Sequence, residues 1–343
     1  MNILTVARTT LCAVTLCPAW AAASDSVAPS PEVQKELAVL DSFLRGEFYR
    51  LGRDPEPVTN AILNLAKMGP DAAPAIPQLV DLLGMRIDTY VTPDQLALLL
   101  PDNLFVATID GKTIVPGAIQ LSAVAALVRI GPVAIEPLRA ALAAEDEDAV
   151  YGAAFALVMM KNAMANQVVI DATRNTTLKH RAKIAETLGY CHEASGTAAL
   201  IELASDQDAD LRAGAVRGLG YSKNRMAAGP LIAALKDPSE SVRFYAADGL
   251  WFLAKAGALD ASALEPLVAA LGDKDAGVRS NAAKALGRLK DPRGIGPLIS
   301  LLSDAEISVR NQVSLALHEA TGQDFGNDQA RWKKWWAGQK PHP

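Results

Sequence analysis

Cysteine is scarce in this chain of 343 residues, and its placement argues against a disulfide-bonded scaffold. Two of the three cysteines, Cys12 and Cys17, lie where the sequence predicts a removable leader. Cys191 then remains alone, so no internal disulfide can form and packing must hold the fold.

Positive charge is also limited. Lys and Arg total 33 against 38 Asp and Glu; residues 1–23 contain one Arg and no acid, so the charge after their removal would be 32 − 38 = −6. A weakly acidic chain is a poor candidate for nucleic-acid binding, which needs clustered Lys and Arg. We therefore expect no nucleic-acid partner.

Common enzymatic motifs are missing as well. The sequence contains no G-x-S-x-G, H-E-x-x-H or G-x-x-x-x-G-K-[ST], and no C-x-x-C beyond residue 23. These patterns identify several hydrolases, zinc proteases, nucleotide-binding loops and redox sites. We assign no catalytic residue, no metal ligand and no cofactor from the sequence.

Long apolar runs are absent beyond the N-terminus, so no transmembrane helix is predicted. The N-terminus has the layout of a secretory signal peptide: a positive charge, the uncharged run Thr9–Cys17, and small residues that offer cleavage after Ala23 or, as the alternative, Ala21. The sequence thus predicts a signal peptide over 1–23, a flexible leader over 24–30, and a periplasmic or secreted protein.

What the sequence does contain is an internal repeat. Each unit reads Asp, then an apolar residue and Arg five and six positions later, then small residues and Leu. The arginines are spaced by 31, 36 and 31 residues, so one unit is five residues longer than its neighbours. The repeat residues are Asp206, Asp237, Asp273 and Asp304 with Arg212, Arg243, Arg279 and Arg310.

A proline marks the second half of each unit, at Pro230, Pro266 and Pro297. The stretch from Asp237 to Glu240 has the pattern of a helix start, with Asp237 as N-cap and Glu240 closing a capping box. After a turn, the proline opens a second helix. Two such helices cannot bury enough apolar surface alone, so the pattern predicts a stack of helical pairs.

This pattern resembles the HEAT repeat, and within it the short variety of the phycobilin lyases. The resemblance covers residues 58–320 and implies an all-α fold, a right-handed α-solenoid of about eight HEAT-like helical pairs. It also implies that the recurrent Asp and Arg side chains stack between neighbouring repeats, which is a structural role. The amphipathic stretch 31–52 predicts a helix, and we assign residues 31–57 as an N-terminal cap.

Residues 321–343 form a tryptophan-rich tail, which resembles a tail that often ends bacterial HEAT arrays. Trp332, Trp335 and Trp336 are spaced i, i+3 and i+4, which places them on one face of a helix. The last repeat of a solenoid exposes an apolar face that needs covering. We interpret the three indoles as a C-terminal cap, with a partner-binding site as the alternative.

The repeat pattern is interrupted over residues 85–116. There, the run FVATIDGKTIV places two β-prone segments around Asp110-Gly111, which predicts a tight β-hairpin. Such a hairpin could contact a partner or fold back on the solenoid, and we favour the second.

Phe244, Asp248 and Trp251 interrupt the pattern a second time. They lie at i, i+4 and i+7, away from the apolar face of their helix, where the neighbouring repeats have small or polar residues. Aromatic residues around an acid suit a protein or peptide contact, so these three are candidate partner-binding residues. The alternative is that they pack under the loop from Lys255 to Ser262, which is five residues longer here.

Two His-Glu dipeptides begin at His192 and His318. Deoxyhypusine hydroxylase, a HEAT-repeat di-iron enzyme, uses four such dipeptides just after the repeat arginine. The two dipeptides in this chain are displaced from that position, so the resemblance does not extend to this metal site.

Together, these patterns predict an exported, monomeric scaffold that binds another protein and has no catalysis of its own. The alternative is an enzyme or enzyme accessory, lyase-like or metal-dependent, that acts on a cofactor bound at the concave face of the solenoid.

Overall fold

The computed structural model describes residues 28–46, 55–91, 107–109, 112–115, 117–191 and 193–339. Contacts within the chain divide it into two compact units, Met1–Ala156 and Leu157–Pro343. In both, α-helices stack in pairs, so the predicted all-α solenoid is confirmed. The predicted signal peptide lies outside the described residues.

The first unit contains helices of uneven length: α1 (Pro31–Leu44), α2 (Glu56–Met68), α3 (Ile76–Asp81), α4 (Ala118–Ile130), α5 (Ile135–Ala141) and α6 (Glu147–Met159), which crosses the boundary. Helices α2 and α4 pack side by side, and α1 packs on α2. Among the described residues, no single helix has the length and apolar composition needed to cross a membrane. Helix α4 and the segment Pro132–Ala141 reach that length and composition when taken together, but a bend of 118° separates them.

Helix α1 is shorter than the sequence predicted. Its N-cap Ser30 accepts a backbone hydrogen bond at 3.3 Å. The helix ends at Leu44 rather than at residue 52, because Gly46 adopts a left-handed backbone (φ +74°) that an α-helix cannot continue through. Residues 47–54 lie outside the described residues.

Short strands occupy part of the insertion: β1 (Thr89–Val91), β2 (Ala107–Ile109) and β3 (Lys112–Val115). They form an antiparallel sheet of order β1-β3-β2. Ile109 pairs with Lys112, and the two residues between them, 110–111, lie outside the described residues. The Asp88 carboxylate accepts the N–H of Gly117 at 2.8 Å, which ties the end of the insertion to its start.

The second unit alternates short and long helices after a first pair: α7 (Ala163–Arg174), α8 (Arg181–Thr187), α9 (Ala194–Leu203), α10 (Ala209–Tyr221), α11 (Ala228–Ala234), α12 (Glu240–Lys255), α13 (Leu264–Ala270), α14 (Ala276–Leu289), α15 (Ile295–Leu301), α16 (Ile307–Thr321) and α17 (Gln329–Ala337). The long helices α10, α12, α14 and α16 pack side by side, and each short helix packs on the long helix that follows it.

The short helices begin earlier than predicted. Their prolines occupy the third helical position rather than the first, because a 3₁₀ turn already starts the helical path. Proline is tolerated there since the first N–H groups of a helix have no intrahelical acceptor. The prolines are Pro230, Pro266 and Pro297, and the 3₁₀ turns are Arg225–Ala227, Ala261–Ala263 and Pro292–Gly294.

Small residues let the long helices approach one another closely. A Cβ atom on Gly220 would lie 2.6 Å from the Cα of Gly249, and one on Gly287 would lie 2.7 Å from the Cα of Ala316. Neither gap accepts a side chain unless a backbone moves. The buried positions of these helices are otherwise mainly Ala, Val and Leu, so the core of the repeats is aliphatic.

Candidate functional site

The repeat aspartates and arginines form hydrogen-bonded pairs between neighbouring long helices, which we call the Asp–Arg ladder. Arg212, Arg243 and Arg279 each use two nitrogens to bind one carboxylate of the next repeat, at 2.7–3.1 Å. The third nitrogen of each arginine donates to backbone carbonyls of its own repeat. The guanidinium therefore joins two repeats in a fixed geometry. The pairs are Arg212–Asp237, Arg243–Asp273 and Arg279–Asp304.

The ladder stops at Asp206 and at Arg310. Among the described residues, the Asp206 carboxylate accepts only the N–H of Asp208, at 2.9 Å. Arg310 donates to the carbonyls of Asp304 (2.7 Å) and Ala305 (2.9 Å), and to no carboxylate in the described part of the chain. Arg310 is thus a natural reference for an arginine that lacks the pairing between repeats.

The predicted capping role of Asp237 is wrong. Helix α12 begins at Glu240, and its N-cap is Ser239, whose side chain makes no capping hydrogen bond. The Asp237 carboxylate lies before the helix, where it accepts the N–H of Ser239 at 2.8 Å and binds Arg212. The same turn recurs at the other repeat aspartates, so the ladder, not a capping box, explains why Asp stands there.

The ladder changes the pKa of its carboxylates. Burial alone would raise the pKa of Asp237 and Asp273, but the hydrogen bonds from their arginines and from backbone N–H groups lower both. In Asp304, the hydrogen bond from Arg279 is the largest effect and also lowers the pKa. Each carboxylate is therefore held ionised in the folded state.

Folding stability should consequently fall in acid. A carboxyl whose pKa is lowered on folding stabilises the protein above its unfolded pKa of about 3.9, and this contribution is lost as the pH falls through the folded value. Urea unfolding measured between about pH 6 and pH 3 should show a steeper loss for the wild type than for Asp304→Asn, which lacks one such carboxyl. Equal slopes would contradict this account of the ladder.

The aromatic residues between positions 157 and 320 gather on one surface of the second unit, which we call the aromatic face. Ring centroids 5.0, 5.3 and 4.7 Å apart join, in order, Tyr190, Tyr221, Phe252 and Trp251. Two further rings, 5.4 Å apart, belong to Phe244 and Tyr245. Each of these six side chains is half-buried, so the rings pack on the helices and still present an exposed edge or face.

An ion pair connects the two groups of rings. Arg217 donates to Glu186 Oε2 at 3.1 Å and to the Tyr221 hydroxyl at 3.0 Å. Its guanidinium carbon lies 5.8 Å from the ring centre of Tyr221 and 5.1 Å from that of Tyr245. Burial would lower the pKa of Arg217, but the nearby Glu186 charge and Tyr221 raise it. The charged guanidinium therefore holds rings of adjacent repeats together.

The structure brings Phe244, Asp248 and Trp251 together on this face, each against helix α14. Asp248 pairs with Lys284 at 3.5 Å, and the Lys284 Nζ lies 3.4 Å from the ring centre of Trp251. Phe244 packs on Gly277, where an added Cβ would lie 2.9 Å from its ring atoms. Asp248 is thus paired within the chain, and its role in binding a partner stays a prediction.

A second cation next to Trp251 comes from its own helix. Lys255, the last residue of α12, places Nζ 5.4 Å from the ring centre of Trp251. Trp251 thus has cationic side chains beside it from its own helix and from the next repeat, and both interpretations that the sequence left open stay predictions.

The sequence reasoning missed Tyr190, Tyr221 and Phe252. A signal for them was present: they lie 31 residues apart, so they hold one position in three successive repeats. Glu186 and Arg217 are spaced by the same 31 residues. Columns of equivalent positions, rather than departures within one repeat, would have revealed the aromatic face.

The tryptophan tail covers the last short helix, α15, against which α17 packs. Trp332 is completely buried, and its indole Nε1 donates to the Gly326 carbonyl at 2.9 Å. Phe325 packs edge-on against it, with ring centroids 4.9 Å apart. Trp335 and Trp336 are half-exposed, so the three indoles contribute unequally.

His318 and Cys191 belong to no metal-binding group in the described residues. His318 is exposed, and its Nδ1 lies 3.1 Å from the Gln323 carbonyl oxygen. Burial raises the pKa of the Cys191 thiol, which keeps it protonated. Across the described ranges, no three His, Cys, Asp or Glu side chains are grouped to hold a metal ion. His192 lies outside them.

Solved structures similar to the chain include repeat proteins and two enzymes. An engineered protein is 21% identical over 55% of this chain and 99% of its own, with a TM-score of 0.41. Human deoxyhypusine hydroxylase is 19% identical over 74% and 100%, with a TM-score of 0.28. The CpcE–CpcF complex of phycocyanin lyase from Nostoc sp. is 19% identical over 59% and 93%, with a TM-score of 0.32. Likenesses this weak carry no argument about function.

Sequence comparison identifies one family, over part of the chain. No curated protein matches the chain. A family profile described as HEAT repeats matches residues 197–261 and 227–318. This region holds the Asp–Arg ladder and most of the aromatic face, and its residues are HEAT repeats.

Proposed function

We propose that this chain is an exported, monomeric scaffold that binds a partner protein through the aromatic face. The observation that carries the proposal is the gathering of all six aromatic residues between positions 157 and 320 on one partly exposed surface. Tyr, Trp and Arg are the residues that dominate binding energy at protein interfaces, and all three occur here.

Packing within the repeats does not explain these rings. The buried positions of the described repeats are filled mainly by Ala, Val, Leu and Ile. The repeats before and after hold small or polar residues at the positions of Phe244 and Trp251. The ring contacts and the Arg217–Glu186 pair also fix the side chains before binding. A preorganised surface loses less conformational entropy when a partner binds.

Export is part of the proposal, and the N-terminal pattern supports it. A partner would then be met outside the cytoplasm, and it should be sought in the envelope or secreted fraction of the native cell.

Site-specific photo-crosslinking tests this function directly. A photoreactive residue at Ser280, which holds on α14 the repeat position of Phe244, should capture one protein in that fraction. The same residue at Met226, exposed in the turn before α11, is the matched control and should capture none. Equal capture at the two positions, or none at either, would overturn the proposal.

A further inference from the structure

An open cavity of about 270 Å³ lies between the first turns of α12 and α14. It is formed where two neighbouring repeats meet, at one edge of the aromatic face. It is lined by two carboxylates, two aromatic rings, a serine and a glycine. These residues are Glu240, Ser241, Phe244, Tyr245, Asp275 and Gly277. We call it the carboxylate cavity.

The lining of this cavity is negative, because it holds two carboxylates and no cation. Among the described residues, Glu240 has neither an ion pair nor a hydrogen-bond partner. Asp275 uses Oδ1 to cap α14 at the N–H of Val278 (2.8 Å), which leaves Oδ2 available. The neighbouring cations, Arg243 and Arg279, hydrogen-bond to the aspartates of the ladder and act on the cavity carboxylates only through longer-range attraction.

The rings give the cavity an apolar wall. Phe244 and Tyr245 meet edge to face at 81°. Gly277 allows Phe244 to lie against α14, because any Cβ at that position would collide with the ring. Aromatic faces next to carboxylates attract ammonium and guanidinium groups through the ring quadrupole and through charge. The ring wall suits the aliphatic stem of the same side chains.

We infer that the carboxylate cavity binds a Lys or Arg side chain of the partner protein. This inference rests on the proposed function and adds the chemistry of the partner, a basic segment that crosses the edge of the aromatic face. Charge complementarity selects this occupant over an acidic or apolar segment.

Fluorescence anisotropy with labelled peptides tests the inference. The probes are Gly-Ser peptides that carry two Lys, two Arg or two Glu residues, at about 0.15 M salt to screen long-range attraction. The Lys or Arg peptide should bind the wild type more tightly than the Glu peptide. Glu240→Gln and Phe244→Leu should each weaken that binding by about fivefold or more.

Glu306→Gln is the matched control. Glu306 holds the position of Asp275 in the last repeat, and its substitution changes the net charge of the protein by the same amount. Ser280 and Asn281 stand on the preceding long helix in place of the two rings, so binding should change by less than about twofold. Circular dichroism confirms that all variants fold.

The outcomes separate this inference from the proposed function. A basic peptide that binds no better than the acidic one, or an equal loss in Glu306→Gln, overturns the carboxylate cavity as the site. If the photoreactive residue at position 280 still captures a protein, the proposed scaffold function stands despite that result. If it captures nothing, the proposed function fails, and the inference fails with it.

Discussion

Trp332→Ala is expected to destabilise the last repeat by about 3–5 kcal/mol, because it removes a large, fully buried side chain and leaves a cavity. The substitution also removes the hydrogen bond from the indole to Gly326. Since each repeat of a solenoid contacts only its neighbours, the loss should be local. Amide hydrogen exchange should become faster in α15 and α16 and stay unchanged in α10.

Trp336→Ala provides the control for this prediction. Trp336 belongs to the same helix, but it is half-exposed, so its truncation should cost clearly less than that of Trp332. Equal effects of the two substitutions, or faster exchange throughout the second unit, would contradict the assignment of Trp332 as the centre of the cap.

Arg243→Leu is expected to lower the free energy of unfolding by about 3–5 kcal/mol, the usual cost of removing one partner from a buried ion pair. The Arg243 side chain is only 8% exposed, and that of Asp273 is 11% exposed. In the variant, the Asp273 carboxylate would keep the N–H of Asp275 as its hydrogen-bond donor. Urea unfolding followed by circular dichroism measures the loss.

Arg310→Leu is the matched control for this second prediction. Arg310 holds the same repeat position but has no carboxylate partner in the described residues, so its removal breaks only bonds to carbonyls. We expect a cost of about 1–2 kcal/mol. Adding Asp273→Asn to Arg243→Leu should restore part of the stability, because it removes the unpaired charge. Similar costs at Arg243 and Arg310 would contradict the ladder as a stabilising contact.

Much of the fold could be predicted because its signals are local. One helix of each repeat is predicted by the regular spacing of arginines such as Arg212 and Arg243 and of the small residues after them. The other helix is predicted by the prolines. Such patterns can be recognised within a single repeat, because every repeat forms the same two helices from the same local sequence pattern.

One prediction failed where a local pattern competed with a distant partner. Asp237 has the type and spacing of an N-cap, but Arg212 of the preceding repeat binds its carboxylate before the helix starts. The pattern within one repeat also does not report that Asp248 pairs with Lys284 of the following repeat. Both contacts join residues that are far apart in the chain.

The sequence by itself determined the repeat architecture, the two helices of each repeat, and the charge of the chain. Only the tertiary structure decided that Tyr190, Tyr221 and Phe252 form one continuous surface, and that Glu240 and Asp275 share a cavity. Helix formation depends on neighbours within a few residues, whereas a binding surface depends on the register between helices. In the second unit, that register is set by the close contacts of small residues and by the Asp–Arg ladder.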